Sequence, residues 1–156
     1  MGETFCSWHG ITCDASGDVK AIDLSGNGLI GTISPTIFTG LSQLLELNLA
    51  NNKGLTGPLP PEIGQASNIC LLELYGCSLN GNLPDVFDRL THFDSKYCQQ
   101  PKIDLHFNKI TGELPKSIGE MGALPYISVA NNKHVGPIPT SWYLHLRALI
   151  VAPCFR

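Results

Sequence analysis

The sequence predicts an α/β solenoid. Short strands and turns repeat along one axis, building a short parallel sheet on one face, with loops, brief 3-10 turns and few helices on the other. Two observations predict it. The first is self-similarity. Val19, Ile22, Leu24, Asn27, Leu29, Gly31 and Ile33 recur as Leu44, Leu47, Leu49, Asn52, Leu55, Gly57 and Leu59. They recur again as Ile69, Leu72, Leu74, Cys77, Leu79, Gly81 and Leu83, then as Ile103, Leu105, Asn108, Ile110, Gly112 and Leu114, and finally as Leu124, Ile127, Val129, Asn132, Gly136 and Ile138. The second is composition. Among 156 residues, 16 Gly and 11 Pro stand beside a chain that is 43% hydrophobic, so turns are frequent and yet a core can form.

Each unit supplies one strand, such as Leu47 to Leu49, whose alternate apolar residues face inward. One unit cannot bury its own apolar face, so stacking is obligatory. The Asn after each strand sits inside the turn, where it can satisfy buried backbone groups. Cys77 holds that place in the third unit and can do so only weakly. The spacing L-x-x-L-x-L-x-x-N/C-x-L is that of a leucine-rich repeat, which wraps as a right-handed superhelix. The expected organisation is a cap at 1–18, five repeats at 19–145 starting near 19, 44, 69, 100 and 124, an insertion at about 94–100, and an incomplete terminal repeat at 146–156.

The segments LTGPLPPEIG, LNGNLPDVFD, ITGELPKSIG and VGPIPTSW resemble the plant-type repeat L-x-G-x-I-P-x-x-I/L-G. That repeat builds the extracellular parts of plant leucine-rich receptor kinases and polygalacturonase inhibitors. Cys6, Trp8, Gly10, Ile11 and Cys13 are similar to the C-x-W-x-G-[VI]-x-C block of that family's N-terminal cap. The resemblance spans residues 5 to about 145. It implies a non-enzymatic extracellular module, a receptor ectodomain or a small secreted recognition protein, that binds a protein or peptide. Two alternatives stay open. One is an inhibitor of a cell-wall-degrading glycosidase. The other is a surface-antigen array of the protozoan kind, in which a Trp often follows the Pro, as Trp142 does in PTSW. The chain departs from the pattern at Ser34, at His134 and at the insertion around DSKYCQQ.

Several classes are disfavoured. The net charge of −3 gives no nucleic-acid footprint. No apolar run approaches the ~18 residues of a membrane span, and ALIVAPCF is broken by Pro153. Five His are scattered without metal-ligand spacing, no CxxC pair occurs, and no cofactor is expected. The start MGETFCSW carries no signal peptide. Six Cys favour an oxidising, extracellular location, although no Asn-x-Ser/Thr sequon is present. The apolar end after Leu146 lacks a polar cap and is open to association.

Residues between the inward positions form three outward columns. The first is Ala21, Glu46, Leu71, Lys102 and Tyr126. The second is Asp23, Asn48, Glu73, Asp104 and Ser128. The third is Ser25, Ala50, Tyr75, His106 and Ala130. Strands lie about 4.8 Å apart, so the columns make one surface. The expected ligand-contacting residues are Asp23, Glu46, Asn48, Glu73, Tyr75, Lys102, Asp104, His106, Tyr126 and Ser128. The acidic middle column points to a ligand with basic groups. Lys102, Asp104 and His106 share a strand face, but no motif fixes a nucleophile beside them, so catalysis is not expected. Cys6 and Cys13 are expected to pair, with Trp8 covering the first repeat. Cys70, expected to point outward, is placed to meet Cys98 and pin the insertion, with a redox-responsive pair as the alternative. Cys77 is expected to be a buried free thiol.

Overall fold

The computed structural model describes residues 5–93, 100–122, 126–145 and 149–150. The strands are β1 (Ile11–Cys13), β2 (Val19–Asp23), β3 (Ile30–Thr32), β4 (Glu46–Asn48), β5 (Gly54–Gly57), β6 (Leu71–Glu73), β7 (Ser78–Asn82), β8 (Lys102–Asp104), β9 (Lys109–Gly112), β10 (Ile127–Ser128), β11 (Lys133–His134) and β12 (Leu149–Ile150). They form two sheets rather than the one expected. A seven-stranded sheet runs β1-β2-β4-β6-β8-β10-β12, and a five-stranded sheet runs β11-β9-β7-β5-β3.

The seven-stranded sheet has the expected register. Ile22, Leu47, Leu72, Ile103 and Ile127 align across it, and so do Asp23, Asn48, Glu73, Asp104 and Ser128. All pairs are parallel except β1, which closes the cap end antiparallel to β2. The second sheet is built from the LTG, LNG and ITG segments, whose turn-rich composition hides their extended backbone. Thr56 Oγ1 donates to Gly31 O at 3.1 Å across it.

The remaining side of each coil is closed by short helical turns. These are helix α1 (Thr36–Gly40), 3-10 turns at Pro61–Gln65, Phe87–Arg89 and Lys116–Glu120, and helix α2 (Trp142–His145). Pro60 and Pro61 open the first of the 3-10 turns, where a missing N–H costs nothing. Between the walls lies a single apolar core in which Leu47, Ile63, Leu72, Leu79, Phe87, Ile103 and Trp142 are buried.

The Asn ladder stitches the coils together. Asn108 Nδ2 donates to Leu74 O at 2.8 Å and Leu105 O at 3.1 Å, while its Oδ1 accepts from Leu79 N at 3.0 Å. Asn52 does the same with Leu24 O, Leu49 O and Leu29 N, and Asn132 with Leu105 O, Val129 O and Ile110 N. Cys77 keeps the donor half, Sγ reaching Leu49 O at 3.3 Å, but does not take the bond from Leu55 N that an Asn would accept there. Its missing acceptor would orphan the N–H of Leu55. The second coil avoids this with one extra residue between Asn52 and Leu55, which lets Leu55 N donate to Asn52 O at 2.9 Å within its own turn. The Cys and the extra residue, apparently separate irregularities in the sequence, compensate each other.

The Cys6–Cys13 disulfide is present, with Cα atoms 5.6 Å apart. Gly10 explains the cap block: Asp23 N donates to its carbonyl at 2.7 Å, and a Cβ there would sit 2.0 Å from Asp23 O. Trp8 does not cover the first repeat. It is 60% exposed, because the 3-10 turn Phe5–Ser7 carries it off the core. Cys70 is disulfide-bonded but buried rather than outward. Bonds from Cys70 N to Leu45 O and from Lys102 N to Cys70 O clamp it between adjacent coils. Cys98, its expected partner, and most of the insertion lie outside the described residues. Cys77 is a buried free thiol, and burial raises its pKa.

Candidate functional site

The ten expected contact residues all fall on the seven-stranded sheet or at its margins, but not with equal access. Asp23 and Glu46 are exposed. Asn48, Glu73, Tyr75, Lys102, His106 and Tyr126 are half-buried. Asp104 and Ser128 are only 2% exposed each, which removes them as direct contacts.

Local chemistry explains the middle column. Asp23 Oδ1 accepts from Ser25 N at 3.0 Å, and Asn48 Oδ1 from Ala50 N at 3.1 Å. Asp104 Oδ1 accepts from His106 N at 3.3 Å. Short acids and amides favour this bond two residues on, which turns the chain at the strand end. The Ser25 backbone bond, ahead of the other influences, holds the Asp23 carboxyl below its usual range.

The middle column is also less acidic than expected. Lys102 Nζ lies 2.7 Å from Glu73 Oε1 and 3.1 Å from Asp104 Oδ2, so one ammonium serves two carboxylates. Burial, the largest influence, pulls the Lys102 pKa down, but the bonds and charges of the two carboxylates outweigh it and the net shift is upward. Its ammonium also lies 5.3 Å from the Tyr126 ring centroid, within cation–π range. The sequence puts Lys102 in a different column from Glu73 and Asp104 and does not show that the flexible Lys stem reaches across to both.

Beyond β6 and β8 the sheet margin is aromatic. Tyr75 and His106 stack with centroids 4.7 Å apart and planes 7° from parallel. His106 Nδ1 donates to Asp104 Oδ1, and Phe107 meets the imidazole edge-on at 5.0 Å. Phe107, 59% exposed, went unnoticed in the sequence because it lies outside the three columns. These rings border a shallow groove of about 560 Å³ whose lining includes Asn51, Lys53, Tyr75, His106 and Phe107.

Among the described residues no cluster of three or more His, Cys, Asp or Glu could hold a metal ion. No described helix is long and apolar enough to cross a membrane. Stacked parallel coils, an Asn ladder and an open, pre-ordered sheet face define a leucine-rich-repeat solenoid.

Comparison with known proteins finds similarity to plant receptor ectodomains. The leucine-rich-repeat family model matches residues 102–121. The chain is 36% identical over 142 residues to receptor-like protein kinase BRI1-like 3 of Arabidopsis thaliana, covering 90% of this chain and 12% of that protein. The ectodomain of the Arabidopsis receptor kinase HAESA, solved with a peptide hormone ligand, superposes with a TM-score of 0.81 at 28% identity, covering 97% of this chain and 25% of that one. The ectodomain of GASSHO1/SCHENGEN3 from Arabidopsis thaliana, solved with CASPARIAN STRIP INTEGRITY FACTOR 2, gives 0.78 at 27% identity, covering 96% of this chain and 17% of that one. The chain is therefore similar to the leucine-rich-repeat ectodomains of plant receptor-like proteins and kinases, and spans a small fraction of the length of these relatives. Kinase relatives are matched only through that ectodomain region.

Proposed function

We propose that this chain is a non-enzymatic extracellular recognition module, and that its seven-stranded sheet face docks a peptide or an extended segment of a protein. The observation that carries the reading is the order of the accessible polar groups. Glu73, Lys102 and Tyr126 hold one another, and Tyr75 is stacked on His106. A surface whose side chains are already fixed loses little entropy when a partner arrives. Half-buried Tyr75 and Tyr126 beside charge suit a contact surface. The peptide-hormone complexes of the structural relatives support the same reading.

Basic groups of the ligand are best accommodated by Asp23 and Glu46, the two exposed acids of the first two coils, since Glu73 and Asp104 already share the Lys102 ammonium. The reading divides the chain into a cap at 1–18, repeats at 19–145 and a partial repeat at 146–156. Trp142 needs no antigen-array explanation: it is fully buried and donates from Nε1 to Pro115 O at 2.9 Å.

The test is selection of a displayed library of random linear peptides on the immobilised chain. Enriched peptides that bind the wild type and lose binding to Glu46→Arg and Tyr126→Ala support the reading. Peptides indifferent to both substitutions, or no enrichment at all, refute it. Inhibition of a polygalacturonase by the chain would instead favour the glycosidase-inhibitor class.

A further inference from the structure

The turns after β2, β4, β6, β8 and β10 each place a residue in the left-handed region. Going along the coils these are Gly26 (φ 64°), Asn51 (φ 59°), Gly76 (φ 67°), Phe107 (φ 52°) and Asn131 (φ 53°). Four of the five are Gly or Asn, the residues that tolerate this conformation. Phe107 is the exception. Its backbone is held there from both sides: Phe107 N donates to Ala130 O at 3.1 Å, and the next residue is the ladder Asn108. A bulky side chain in this region is strained, and such outliers cluster at ligand-binding sites. The side chain is not drawn into the core in exchange, being 59% exposed.

The surroundings give the strained ring a purpose. Phe107 stands at the margin of the groove, edge-on to His106, which is itself stacked on Tyr75. The floor is kept low by Gly76, where a Cβ would come 2.6 Å from Asn51 Oδ1. Lys53 lines the same groove, is exposed, and has no carboxylate partner among the described residues. It is the one formally charged side chain along the lining, and no acid lies beside it there.

We propose that this groove is a side-chain pocket for a peptide ligand, taking an aromatic residue against Phe107 and His106 and an adjacent Asp or Glu against Lys53. The proposal rests on the peptide-docking reading of the sheet face and specifies one subsite at its margin. An aromatic side chain adds edge-to-face or offset contact to three rings already in place. A carboxylate one residue away meets the free ammonium. The groove thus prefers the opposite charge from Asp23 and Glu46, which fixes the direction in which a ligand with one basic and one acidic end would lie.

The test uses the peptides enriched on the wild-type full chain from the displayed library. They are expected to share an aromatic residue next to Asp or Glu. Their affinity, measured by fluorescence anisotropy with labelled synthetic copies, is expected to fall about tenfold on Phe107→Asn and on Lys53→Glu, as for a central anchor. Phe107→Asn puts into the turn the residue used at positions 51 and 131, so its melting temperature should equal or exceed that of the wild type, separating lost binding from lost folding. Peptides that lose affinity on Glu46→Arg but bind both groove variants at wild-type strength overturn this inference and leave the sheet-face reading intact. A consensus without the aromatic–acid pair also overturns it. Failure of any peptide to enrich removes the sheet-face reading and this subsite with it.

Discussion

Asn108→Ala tests the central claim that the ladder side chains, more than the leucines alone, hold the coils in register. Four backbone groups contact Asn108: the carbonyls of Leu74, Leu105 and His106 and the N–H of Leu79. Their fates differ on truncation. Leu105 O keeps the bond from Asn132 Nδ2 at 2.9 Å, and His106 O keeps that from Gly76 N at 3.0 Å. Leu74 O and Leu79 N lose the side-chain partner they have in the ladder. Each buried group left unpaired costs about 1–3 kcal/mol, so the substitution should cost about 2–6 kcal/mol. That is a large share of a stability that for most proteins is about 5–15 kcal/mol. Cys77→Ala at the matching position orphans nothing comparable. Leu49 O is still served by Asn52 Nδ2 at 2.8 Å, and Tyr75 O by Asn51 N at 2.8 Å. Its cost should be about 1 kcal/mol, the loss of one small buried group. Urea titrations followed by circular dichroism would give both values from midpoint and slope. If Asn108→Ala and Cys77→Ala cost the same within about 0.5 kcal/mol, the accounting of orphaned backbone groups is wrong.

Three further outcomes follow from the same structure. Cys77→Asn should restore the ladder pattern yet stabilise by no more than about 0.5 kcal/mol, because the N–H its Oδ1 would meet is already bonded to Asn52 O; a gain well above that in the same titration would contradict the compensation described above. Trp142→Ala should cost about 3–5 kcal/mol, since it empties a fully buried site and orphans Pro115 O, and thermal melts of the two chains would check it. Burial, the larger influence, lowers the pKa of His134, whose Nε2 has no hydrogen-bond partner, below its ordinary 6.5. The unfolded chain then binds the proton more tightly, so stability should fall as pH drops from 6.5 through the depressed folded value, and stay level above 6.5. In His134→Leu that segment of the pH–stability curve should flatten, and an unchanged curve would exclude His134 as its source.

Much of the molecule was readable from residue order because solenoid contacts join equivalent positions of neighbouring coils. The recurrence of Leu47, Leu72, Ile103 and Ile127 sets the sheet register, and the recurrence of Asn52, Asn108 and Asn132 sets the ladder. The second sheet was not readable. Most of its strands carry Gly with Thr or Asn, residues that weaken a local strand signal, and they are extended where the corresponding segment of the next coil stacks alongside.

The candidate surface divides in the same way. Its membership followed from strand alternation, which needs no partner to be true. Its charge and access did not, because they depend on side chains reaching between strands. Lys102 swings to bond Glu73 and Asp104, turning part of an expected acidic stripe into a partly neutralised cluster. Asp104 and Ser128 disappear beneath their neighbours although their backbone register is as expected. Trp8, matched to a capping motif, stands in solvent, while Trp142, matched to a motif with a different meaning, fills the core. By itself the sequence determined the repeat, the ladder and the residues that share a face, since these are periodic and local. The tertiary structure alone decided which of those residues remain reachable, which charges cancel, and where Phe107 would be held in a strained turn, since each depends on distances between coils that the order of residues does not contain.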